Sequence, residues 1–129
     1  MKRITIAVAV SVAGLLAVTG IAAAGVPHYS STLDATGTLV GPGPERFLEY
    51  GQVHSAKGAC RANRRLKIVA HYADGSHKVL DTGRSSANGA YAMVGDFTDA
   101  DTGTIRAAKK VLGRRGHRRV CDAASVPAD

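Results

Sequence analysis

An all-β fold is predicted for this chain of 129 residues: a small antiparallel β-sandwich of about seven strands with one disulfide, preceded by a helical signal peptide. Three observations predict it. Beyond residue 24, apolar residues nowhere keep a 3.6-residue spacing over three turns, which excludes a helical core. Short alternating runs recur instead, separated by Asp74-Gly75, Asn88-Gly89 and a Gly/Pro cluster. Two cysteines, Cys60 and Cys121, form one available pair.

The elements follow in chain order. Lys2 and Arg3 open a basic start, Ile4 to Val18 is apolar or small, and Ile21-Ala22-Ala23-Ala24 supplies the small residues that a signal peptidase reads. Cleavage is expected between Ala24 and Gly25, which makes 1–24 a signal peptide. No cysteine follows the apolar run to accept a lipid, and no second apolar stretch could hold the chain in a membrane after cleavage. The product is expected to be secreted. Residues 25–34 read as a flexible lead-in and 35–126 as the sandwich domain.

Thr36 to Val40 is the first strand, and Gly41-Pro42-Gly43-Pro44 ends it, because proline removes a donor and fixes φ. Phe47 to His54 is the second. Leu66, Ile68, Ala70 and Tyr72 share one face of the third by the period of two. Asp74-Gly75 turns the chain back into His77 to Thr82. Ala90 to Val94, Thr104 to Leu112 and Arg119 to Cys121 complete the set, with Phe97 expected to anchor a loop. A Cys60–Cys121 bond suits an oxidising compartment, and closing its long loop is worth about 4 kcal/mol in the chain-entropy account.

A family resemblance rests on Gly51-x-Val53, on Cys60-Arg61-Ala62-Asn63-Arg64-Arg65-Leu66-Lys67-Ile68, on Thr82, and on Ser86-Ala87-Asn88-Gly89-Ala90-Tyr91. These residues resemble the pattern of transthyretin-like and carboxypeptidase-regulatory-like β-sandwiches. The placement of Cys60, Cys121 and Ser125 is similar to that of small exported bacterial members. Ser85 and Ser86 stand where that pattern has Thr-Asp. The resemblance implies a sandwich fold and an accessory or binding module.

No catalytic, metal or cofactor site is assigned. A two-residue loop at Asp74-Gly75 pairs Tyr72 with His77 and sets His71 opposite Lys78, which separates the two imidazoles and argues against a shared metal. Asp96, Asp99 and Asp101 lack the further ligands and terminal glutamate of a calcium loop. No Gly-x-Ser-x-Gly is present, and the chain ends Ser125-Val126-Pro127-Ala128-Asp129 rather than in the Tyr-Arg-Gly-Ser of hydroxyisourate hydrolases.

Charge carries the functional expectation. The chain has 17 Lys and Arg against 10 Asp and Glu. Lys57, Arg61, Arg64, Arg65 and Lys67 form one acid-free run beside Cys60, and Lys109, Lys110, Arg114, Arg115, Arg118 and Arg119 form another beside Cys121. A disulfide would draw the two runs toward one basic end. The expected role is a non-enzymatic, monomeric binding or structural accessory module. The two runs read either as a solvated surface that keeps a small secreted domain soluble or as a site for an anionic polymer or cell-surface component. Neither run contains an aromatic for base stacking, which argues against sequence-specific nucleic-acid binding. A small hydrolase and a protein-binding module such as an inhibitor are the alternatives.

Overall fold

The computed structural model describes residues 25–128. The expected signal peptide lies outside them. Among the described residues the strands are β1 (His28–Tyr29), β2 (Thr32–Leu33), β3 (Thr36–Leu39), β4 (Arg46–His54), β5 (Arg65–His71), β6 (His77–Arg84), β7 (Ala90–Asp96), β8 (Thr102–Ala107), β9 (Lys110–Leu112), β10 (Arg119–Cys121) and β11 (Ala124–Pro127), with one short helix, α1 (Gly58–Arg61).

Two sheets form the sandwich. In the first, β2 and β3 line one edge of β4 in a single continuous register from Thr32↔His54 to Leu39↔Phe47, and β7 pairs β4 from Arg46↔Asp96 to Gln52↔Ala90. The second runs β11-β8-β5-β6, all antiparallel. A third, smaller sheet, β1-β10-β9, includes the parallel pair β1/β10.

The period of two explains what is buried. Leu66, Ile68 and Ala70 of β5, Ile105 and Ala107 of β8, Tyr91 and Met93 of β7, and Val53 of β4 point between the sheets and form the core with Phe97. Each large side chain withdrawn this way is worth about 1.5–3 kcal/mol. Phe97 does anchor its loop: it is buried, meets Phe47 edge-on at 6.2 Å between centroids, and lies over Gly103, where a Cβ would come within 2.4 Å of its ring. Glu49 also faces this interior, opposite Met93 and Gly37, and is fully buried.

Three local expectations change. Residues 25–34 are not a free lead-in: β1 pairs with β10, β2 with β4, and the Asp34 backbone N–H donates to Gln52 O. Two-residue strands are too short to leave a periodic signal. The late strand Thr104 to Leu112 is two strands, β8 and β9, because the chain leaves one sheet for another at Ala108–Lys109.

The third change is the hairpin register. The Tyr72 N–H donates to Ser76 O and the Gly75 N–H to Tyr72 O, so the loop is three residues, with Gly75 left-handed at φ +87°. His71 therefore pairs with His77, not Lys78, and a bulge at Ile68/Val69 shifts the register farther along the hairpin, to Ile68↔Asp81. The extra residue, Leu80, packs on the core.

Candidate anion-binding face

The Cys60–Cys121 disulfide is formed, with Cα atoms 5.4 Å apart and both residues fully buried. It joins α1 to the base of the β9–β10 hairpin. Lys57, partly buried, holds its ammonium 5.9 Å from the centre of the Tyr29 ring, and the other basic residues of the two runs fall into three settings.

Two of them hold the fold together. Arg64 is fully buried, which corrects its placement on a binding surface. Its guanidinium donates to the Cys60, Ala108 and Asp122 carbonyls and to Ser31 Oγ, at 2.7–3.2 Å. Those four partners come from α1, the β8–β9 crossover, the β10–β11 link and the link before β2. Burial lowers the guanidinium's pKa and the Asp122 charge offsets part of that, but an arginine stays protonated. Ser85 supports the same corner, accepting from the Arg64 N–H and donating to Arg61 O. The Lys110 ammonium, half-buried, donates to Ala59 O and Ala62 O and ties β9 to α1.

A second group is exposed near the disulfide and on the hairpin. Arg61 ends α1, Lys109 sits in the crossover, Arg114, Arg115 and Arg118 lie in the loop between β9 and β10, and Arg119 starts β10.

The third group is the outer face of the β11-β8-β5-β6 sheet. Arg65 and Lys67 project from β5, two residues apart and both exposed. Arg65 stands opposite Arg84 of β6, and Lys67 stands between Thr82 of β6 and Arg106 of β8. Facing residues on neighbouring strands have Cβ atoms about 4.5–5.5 Å apart, a spacing at which like charges repel. A groove of about 660 Å³ runs among these four side chains, bordered also by Gly83, Ala108 and Ala123. That volume lies within the range of small-ligand sites.

Arg84 and Arg106 are absent from both basic runs. Their signal was the alternation Thr82-x-Arg84 and Thr104-x-Arg106, which matches Arg65-x-Lys67 in period, but only strand order puts the three side by side. The ion pairs seen among the described residues are His28–Asp122 at 2.7 Å and His54–Asp34 at 2.5 Å, so the four cations have no carboxylate partner there. Arg84 Nη1 donates to Asn63 Oδ1 at 3.2 Å, a neutral contact that leaves its charge uncompensated.

No family model, curated protein or solved structure matches this chain.

Proposed function

We propose that the mature chain is a secreted, non-enzymatic accessory module of transthyretin-like type that holds an extracellular anionic polymer on the outer face of the β11-β8-β5-β6 sheet. One observation carries this reading: Arg65, Lys67, Arg84 and Arg106 are neighbours on three adjacent strands, and none of them is in an ion pair among the described residues. Four cations crowded together raise one another's electrostatic free energy, and an anion laid across them lowers it. Arginine supplies three of the four, and its planar fork binds phosphate, sulfate or carboxylate through paired hydrogen bonds. The disulfide fits an oxidising, extracellular setting.

The test is binding of inorganic polyphosphate and of heparin across a salt series. Affinity should fall steeply with salt, because each neutralised charge releases a counterion. Arg65→Gln with Arg84→Gln, and separately Lys67→Gln with Arg106→Gln, should each weaken binding about tenfold and reduce the salt slope by roughly the two charges removed. Arg46→Gln with Lys78→Gln removes the same charge elsewhere and should have little effect. Equal losses from all three pairs would mean diffuse attraction by net charge, and the proposal would fall.

A further inference from the structure

The other end of the same sheet face carries a pair of histidines. His71 is the last residue of β5 and His77 the first of β6, and the three-residue turn makes them direct cross-strand partners. Their rings face each other with centroids 6.4 Å apart and planes inclined at 42°. We propose that His71 and His77 together bind a divalent transition-metal ion.

Three features support a site rather than a chance pair. The first is distance. An ion held by two imidazole nitrogens at about 2.0–2.1 Å places the ring centroids about 4.5 Å apart in a right-angled arrangement and about 6.5 Å in a linear one. The observed 6.4 Å lies at the wide end of that range, and the side chains must turn a nitrogen of each ring toward the shared ion. The second is orientation. His71 Nε2 lies 3.1 Å from Thr104 Oγ1. In the tautomer that donates to this hydroxyl, Nδ1 keeps its lone pair for a metal, and an outer hydrogen bond of this kind is what fixes the ring of a ligating histidine. The third is access. His77 is exposed and His71 partly so, which leaves room for water in the remaining coordination positions.

The surrounding charge is mixed. Asp101, whose N–H donates to His71 O, and Asp74 in the turn are exposed acids near this end, and Lys78 follows His77. Among the described residues no group of three or more His, Cys, Asp or Glu side chains is gathered to hold a metal. The site is therefore a two-imidazole, exchangeable one, with water in its remaining positions. Nitrogen ligands with open positions favour copper(II) over nickel(II) and zinc(II). This assignment does not rest on the anion-binding reading, whose four cations lie at the other end of the sheet face.

Zinc(II) titration of the intact secreted protein, followed through its histidine NMR signals, tests it site by site. The His71 and His77 signals should move together with one shared midpoint below a millimolar zinc concentration, while those of His28, His54 and His117 stay in place. His77→Asn should weaken binding at least about tenfold, and His28→Asn should leave it unchanged. Movement of one histidine alone, unchanged affinity in His77→Asn, or no shift at millimolar zinc would overturn the proposal. Because His77 is exposed, its substitution should not unfold the chain, and an unchanged backbone spectrum verifies that.

Discussion

Arg65 of β5 stands directly opposite Arg84 of β6, two cations facing each other on an exposed sheet surface. Facing like charges destabilise a sheet by a few tenths to about 1 kcal/mol, and facing opposite charges stabilise it by a similar amount. Arg84→Glu should therefore raise stability while it weakens polyanion binding by about tenfold, as the double neutralisation does. Urea unfolding at low salt checks this, and the gain should shrink as salt screens the pair. A loss of stability at every salt concentration would show that no repulsion was relieved.

Arg64 predicts the opposite behaviour. Removing its side chain leaves the Cys60, Ala108 and Asp122 carbonyls without their shared donor, so Arg64→Met should cost roughly 3–5 kcal/mol. Arg64→Lys should recover little, since one ammonium cannot replace a fork that reaches four partners. Thermal unfolding measures both. Any variant that still folds should keep its polyanion affinity, because this guanidinium does not reach solvent.

The disulfide supports the same corner from the other side. Cys60→Ser should lower stability by roughly 2–5 kcal/mol, and the intact protein should weigh two hydrogens less than its fully reduced form. Denaturant unfolding and intact-mass measurement give the two readouts.

Stability should fall at both pH extremes, for different groups. A hydrogen bond from His54 is the main cause holding the Asp34 carboxyl below its usual 3.8, with the Gln52 N–H adding to it and burial opposing. A lowered carboxylate stabilises the fold above its unfolded pKa and loses that contribution as pH falls through the folded value. Asp74 and Asp96 act in the same direction through their turns with Ser76 and Thr98. Asp34→Asn should thus flatten the acid limb below about pH 4. Burial, and then the charges of Asp34 and Glu49, push the Tyr91 phenol well above 10.0. Its stabilisation is complete below pH 10 and is lost as pH rises beyond it. In an alkaline titration one of the four tyrosines should resist ionisation until the fold opens.

Processing gives the simplest expectation. Material recovered outside the cell should begin at Gly25, and N-terminal sequencing checks it. A start at Met1, or recovery only from membranes, would overturn the export reading.

The strand positions were legible because they rest on local rules. Side chains alternate across a pleat, so Leu66, Ile68 and Ala70 announced a buried face; Asp74-Gly75 and Asn88-Gly89 announced turns; and the lone cysteine pair had one connectivity. Loop length was less legible. One residue more or less at Ala73 to Gly75 shifts the pairs next to the turn by one, and here the bulge at Ile68/Val69 takes up the difference. The far half of the hairpin from Ile68↔Asp81 therefore keeps the register of a two-residue loop while Leu80 packs on the core.

The basic sheet face was half legible. Arg65 and Lys67 were visible as neighbours in the chain, but Arg84 and Arg106 join them only because β6 and β8 flank β5, a pairing between residues far apart in sequence. Arg64 looked like its neighbour Arg65 on paper. By itself the sequence determined the strand pattern, the staple and the excess of positive charge. The tertiary structure alone decided which arginine is exposed and which is buried: carbonyls from three separate segments converge on Arg64, and nothing in the chain beside it records where they will meet.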